Sequence, residues 1–254
     1  MSLVFSDTSN YKGIVQFYER ECGFNRADVS GNTAKLKEFT ADVNLALDDF
    51  LSVAIPASGT WQMDDTNHTA YPIITTNLVA NQRDYSFTSD EQGNLLLDIY
   101  KVLVADSSGI FHEIDPVDVE SESDTTGFTD GRNGTGTPTR YDKTANGIFL
   151  DPIPATSVTA GLKVYVNREG SYFTYTDTTK KPGVPGLFHK YFYLKPALDY
   201  ARRNNLANFA TIQAEVTKLE GNARLGIVGA IEEYFASRTR DERPRLAPAY
   251  QNNK

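Results

Sequence analysis

The feature that most constrains this chain is a double switch in the spacing of its apolar residues. Between residues 11 and 58 they recur at every third or fourth position, which places them on one face of an α-helix. From Gly59 to Pro185 the repeat shortens, turn residues become frequent, and β-branched and aromatic residues gather in short runs, the pattern of strands. After Pro185 the helical repeat returns. Helices at both ends of a β segment predict an α+β fold. In it, a helical bundle of N- and C-terminal helices carries an inserted antiparallel β-sandwich or open barrel. The expected divisions are a helical part over 1–58, a β domain over 59–185, helices completing the helical domain over 186–237, and an extended tail over 238–254.

Individual elements follow from the same reasoning. Ile14, Phe17, Tyr18 and Cys22 predict a short helix closed by Gly23. Leu36, Phe39, Val43, Ala46, Leu47, Phe50 and Leu51 form the stripe of a second helix, with Asn32 or Thr33 capping its start and Pro56 with Gly59 closing it. Strands are expected over 60–63, 73–78, 83–87, 96–105, 110–114, 139–141, 147–150 and 162–168. Asp106-Ser107-Ser108-Gly109 makes a tight turn, and 130–136 is a glycine-rich loop. Beyond a hinge over 180–185, Leu187, Phe188, Tyr191, Phe192, Leu194, Leu198 and Ala201 line a helix that Pro196 should kink and Asn204-Asn205 should end. A further helix is predicted over 207–237, carrying Phe209, Ile212, Val216, Leu219, Ala223, Ile227, Ile231, Tyr234 and Phe235. Unbroken, it would be roughly 45 Å long and need helical partners, so Phe209, Ile212, Val216 and Leu219, or the opposite face, are candidate subunit contacts.

Composition narrows the chemistry. A chain of 254 residues at 40% hydrophobic can build one large core or two modest ones. The single cysteine, Cys22, excludes an internal disulfide framework and any multi-cysteine zinc site, and reads as a small buried apolar residue. Fourteen Tyr and fourteen Phe against one Trp suit sheets and protein interfaces. No apolar run approaches the roughly 18 residues of a membrane helix, and the start of the chain lacks the basic and apolar regions of a secretory signal. Residues 1–184 carry 14 Lys+Arg against 26 Asp+Glu, and residues 185–254 carry 11 against 7. An acidic body of this kind argues against sequence-reading DNA binding.

Nothing in the chain forms a catalytic constellation. His68, His112 and His189 are scattered, and the carboxylate pairs Asp64-Asp65, Asp115 with Asp118, and Glu120 with Glu122 suit solvated turns. Asp124 and Asp130 lack the alternating ligands of a calcium loop, and no phosphate-binding, dinucleotide or nucleophile-elbow motif occurs. No catalytic, cofactor or metal residue is therefore expected. Arg238, Arg240, Arg243 and Arg245 on a proline-stiffened tail can make forked pairs with carboxylates of another chain, and Leu246 and Tyr250 offer apolar anchors.

The order of parts resembles the head–tail adaptor, or connector, proteins of tailed bacteriophages. The matching pieces begin with a helix ending in Leu47-Asp48-Asp49-Phe50, then Gly59-Thr60-Trp61-Gln62-Met63-Asp64-Asp65, Thr75-Thr76-Asn77-Leu78 and Arg83-Asp84-Tyr85. They continue with Pro138 and Tyr141, Gly147-Ile148-Phe149-Leu150, Pro152-Ile153-Pro154, a strand ending in Arg168, the hinge, and Phe188-His189 opening a helix. The resemblance covers about residues 30–205 and implies a homo-oligomeric ring, commonly of twelve copies, seated beneath the portal protein and joined to a tail or neck-completion protein. It further implies a location at the neck of the virion after synthesis in the host cytoplasm, and a C-terminal tail docked on the portal. DNA would pass through without sequence-specific binding, and no membrane is involved. Two rival classes are another phage structural role (tail completion, tail tube or baseplate) and a carbohydrate-binding or hydrolytic module. A tube would be β-dominated, and a glycan site would need aromatic platforms beside paired acids.

Overall fold

The computed structural model describes residues 3–59, 73–91, 93–117, 134–144 and 147–242, with the backbone alone at 223 and 238–242. The expected strand over 60–63, together with Trp61, His68 and the acidic residues 118–130, lies outside the described residues. In chain order the elements are α1 (Ile14–Glu21), α2 (Thr33–Ser58), β1 (Ile73–Leu78), β2 (Asp84–Ser86), β3 (Leu96–Ala105), β4 (Phe111–Pro116), β5 (Thr135–Gly136), β6 (Arg140–Thr144), β7 (Gly147–Asp151), β8 (Ile153–Pro154) and β9 (Val158–Arg168). A 3₁₀ turn (Gly186–Phe188), α3 (Tyr191–Asn204), α4 (Phe209–Glu220), β10 (Gly221–Asn222), β11 (Ile227–Val228) and α5 (Ala230–Glu242) follow. The described residues divide into two compact units: a helical unit from 6–59 and 186–242, and a β unit from 3–5 and the described residues of 73–185.

In the helical unit, α2 starts where the Asn32 side chain accepts hydrogen bonds from the amides of Ala34 and Lys35, and stops where Gly59 turns left-handed at φ 72°. Pro56 lies inside α2 rather than ending it. Pro196 likewise lies inside α3, which ends at Asn205 in the left-handed conformation. α2 packs against α3 and α5, and α3 also packs against α1 and α4. The join is aromatic. Phe50 of α2 is fully buried and meets Phe188, Tyr191, Phe192 and Phe235 with ring centres 5.6–6.0 Å away. Among the described residues no helix is long and apolar enough to cross a membrane.

The continuous helix expected over 207–237 is not formed. α4 stops at Glu220, a short hairpin follows, and α5 runs from Ala230 to Glu242. The apolar repeat continues through the break by coincidence, but the backbone does not. Gly221 adopts φ 82°, ψ −172°, a conformation closed to residues with a Cβ, and Gly226 is also left-handed at φ 65°. Arg238 to Glu242 are helical rather than extended, so α5 takes in the first part of the expected tail.

Among the described residues the β unit holds a curled, mixed seven-stranded sheet, a half-barrel, in the order β1-β9-β3-β4-β6-β7-β2, and a separate two-stranded sheet of β5 and β8. It is not wholly antiparallel, because β4 and β6 pair in parallel, as do the two-residue strands β5 and β8. The turn at Asp106–Gly109 joins β3 to antiparallel β4, and the Asp106 carboxylate accepts from the amides of Ser108 and Ile110. The long partners β3 and β9 set Val102 opposite Val164 and Val104 opposite Leu162, on the face that packs with Ile99, Ile114, Ile148 and Leu150. Arg168, the last residue of β9, is fully buried and donates to the carboxylate of buried Asp90, tying the β2–β3 connection to the sheet. That carboxylate also accepts from the Asn94 amide at 2.9 Å.

Phe50→Ala should destabilise the helical unit by about 3–5 kcal/mol, the range for truncating a buried aromatic. Denaturant unfolding followed by near-ultraviolet circular dichroism measures it. A loss near zero would mean that the rings of the two chain segments do not depend on one another.

Candidate functional site: two aromatic clefts and an apolar hairpin

The residues singled out in the sequence fall in three settings. Ile212, Val216 and Leu219 are buried within the helical unit itself, while Phe209 is half-buried. The exposed side of α4 carries Ala210, Gln213, Ala214 and Lys218 instead. Arg238 and Arg240 occupy the last turns of α5, and Arg243, Arg245, Leu246 and Tyr250 lie outside the described residues.

Two clefts, meeting at Phe24, open on the helical unit. The first, with a volume of about 480 Å³, is lined by Tyr11, Lys12, Phe17, Arg20, Phe24 and Arg26 together with Asn10, Gln16 and Glu19. Its two arginines are held in place. Arg20 stacks 4.3 Å from the Phe17 ring centre and donates to the Tyr11 carbonyl at 2.7 Å, and Arg26 sits 4.6 Å from the Tyr11 ring centre. The Glu19 carboxylate turns inward, accepting from the amides of Val29 and Ser30 and from the Ser30 hydroxyl at 2.8–3.0 Å. What faces the cleft is therefore mainly positive, and suits a carboxylate or phosphoryl group.

The second cleft, about 590 Å³, has an apolar floor of Tyr18, Phe24, Val29, Phe39 and Tyr200 and a charged rim of Lys35, Glu38, Asp42 and Arg203. The rings are packed, with Tyr18 and Phe39 centred 4.4 Å apart and Phe24 and Tyr200 4.9 Å apart. Burial raises the Asp42 carboxyl above its usual range. Arg203, 3.7 Å away, opposes that shift, and Asp199 and Glu38 add to it. Beside Tyr18 the buried Cys22 thiol is pushed up to about 12, chiefly by burial.

A third feature projects from the break between α4 and α5. β10 and β11 form a tight hairpin, and the Asn222 side chain accepts from the amides of Arg224 and Leu225. Leu225 is 70% exposed, Val228 62% and Ile227 46%. The base is held from below. Lys195 donates to Glu220, the last residue of α4, at 2.5 Å and pairs with Asp49 of α2 at 3.1 Å, and the Tyr191 hydroxyl donates to the same Glu220 carboxylate. Burial alone would lower the Lys195 pKa, but Glu220 and Asp49 together leave it raised. At Gly229 a Cβ would come within 2.3 Å of the Glu220 backbone, so only glycine closes the hairpin.

Compared with models of known protein families and with curated proteins, the chain matches none.

Other polar groups offer little as sites. His112 pairs with Asp106 at 3.2 Å on an exposed turn, and His189 is buried in the helical unit. Asp151 is held by Arg140 at 2.6 Å, with Arg83 at 3.9 Å. Among the described residues no three His, Cys, Asp or Glu side chains gather so as to hold a metal ion. The second cleft carries no sequence signal, since its residues come from α1, the α1–α2 connection, α2 and α3, and the first, local to residues 10–26, matches no motif. The hairpin had one in Gly221, Gly226 and Gly229, which the run of apolar spacings masked.

Because burial keeps the Cys22 thiol protonated, alkylation of the native protein by iodoacetamide between pH 7 and 9 should be far slower than that of the unfolded chain. Mass spectrometry of the labelled protein reads it. Labelling at the unfolded rate would contradict the buried placement.

Proposed function

We propose that this chain is a structural protein of a tailed-phage virion, a head–tail adaptor. Copies of it, about twelve, form a ring below the portal that joins the capsid to a tail or neck-completion protein and continues the DNA channel. The observation that supports this most is the construction of the helical unit from both ends of the chain, with the β unit inserted between them. That is the order of parts on which the resemblance rests. In this reading α1–α5 form a helical bundle that serves as the body of the ring, and the β unit is carried as a separate module. The acidic residues of 1–184 repel phosphate, so DNA slides past without being held.

The C-terminal segment supplies the portal contact. Arg238, Arg240, Arg243 and Arg245 pair with portal carboxylates, and Leu246 and Tyr250 anchor the segment in apolar pockets. With α5 helical as far as Glu242, the docking segment begins as a helix end and continues past it.

Light scattering tests the assignment. The chain alone should stay below ring size, form a ring-sized complex when mixed with its portal, and lose that complex when truncated after Ser237. A chain that ignores the portal and polymerises into tubes would overturn the adaptor reading.

A further inference from the structure

The first cleft gathers positive charge that the fold leaves unmatched. Lys12, Arg20 and Arg26 line it beside the half-buried rings of Tyr11, Phe17 and Phe24. Among the described residues none of these three cations makes an ion pair, in a chain of net charge −8. The carboxylates nearby are engaged otherwise. Glu19 is taken up by the Val29 and Ser30 amides and the Ser30 hydroxyl. Asp7 accepts from the amides of Ser9 and Asn10 at 3.1 and 2.9 Å, and Lys12 adds only the last of the pulls on it.

Both guanidinium groups are set in position by the protein itself, and both meet Tyr11. Arg20 donates to its carbonyl at 2.7 Å, and Arg26 lies 4.6 Å from its ring centre. Arg20 also lies 4.3 Å from the Phe17 ring centre, and that ring stacks on Tyr193. Tyr11 takes up φ 54° in doing so, a left-handed conformation rare for a residue with a side chain. A guanidinium stacked on a ring keeps N–H groups at its edge that can fork onto an oxyanion.

From this arrangement we infer that the cleft binds a compact phosphate monoester, with the phosphoryl group between Arg20 and Arg26. Three cations call for more than one negative charge, and a phosphoryl group brings about two, on three acceptor oxygens. A carboxylate brings a single charge and two oxygens, which one guanidinium fork satisfies. The volume of about 480 Å³ lies within the roughly 300–1,000 Å³ of sites that enclose a small molecule, and Phe24 gives its carrier an apolar face. A nucleic-acid strand fits less well, since the acidic residues of 1–184 repel an extended polyanion. The site goes beyond the adaptor reading, which neither needs it nor accounts for it.

Isothermal titration calorimetry of the full chain with phenyl phosphate tests the site, with benzoate and a single-stranded oligothymidylate as the competing arms. Phenyl phosphate should bind one to one with a Kd of about 1 mM or tighter, and benzoate at least about tenfold more weakly. Arg26→Gln and Lys12→Gln, at exposed positions, should each weaken phenyl phosphate by about fivefold or more, with circular dichroism matching the parent. Lys218→Gln, on the exposed side of α4, should leave binding unchanged.

Absence of saturable binding, no loss in either cleft variant, or an equal loss in Lys218→Gln would overturn the site. Benzoate bound as tightly would make it a carboxylate site, and an oligothymidylate bound more tightly would make it a nucleic-acid site. Either result would overturn the assignment to a phosphate monoester.

Discussion

The helical unit depends on one contact, that of Phe50 with Phe188, Tyr191, Phe192 and Phe235. Phe50 belongs to the N-terminal segment and the other rings to the C-terminal one, with the whole β unit between them in sequence. Closing so long an insertion costs chain entropy, but that cost grows only with the logarithm of length. A cluster of buried aromatic rings is large enough to offset it. The β unit needs no such help, since its own strands bury one continuous apolar face.

The rest of the helical unit follows from that closure. Once α2 lies against α3 and α5, Lys195 of α3 stands between Asp49 of α2 and Glu220 of α4. The pairings fix the end of α4, and with it the direction in which the hairpin leaves. Packing α1 against α3 sets Phe17 on Tyr193 and brings Tyr18 near Phe39 and Tyr200, which forms the second cleft. Cleft and hairpin are thus consequences of the same core.

Much of this architecture was legible in the sequence because local chemistry decides it. The cap at Asn32, the helix ends at Gly23, Gly59 and Asn205, the Asp106 turn and the β-branched runs of β3 and β9 each rest on residues close in the chain. The parallel pairing of β4 with β6 was not legible, since register between distant strands leaves no local mark. The break after Glu220 was hidden for a different reason. Apolar spacing runs on through Ala223 and Ile227, although the backbone turns left-handed at Gly221 and Gly226. The second cleft leaves no local mark because it collects residues from Tyr18 to Asn204, whereas the first is local to residues 10–26 and lacks a motif.

The central claim is that copies of this chain form the ring that continues the portal channel. Electron cryomicroscopy of the portal mixed with the full chain tests it most directly. The account predicts a second ring coaxial with the portal, in which each C-terminal segment reaches the portal. A portal imaged bare, or a chain found only in tubes or bound away from the channel axis, would contradict it.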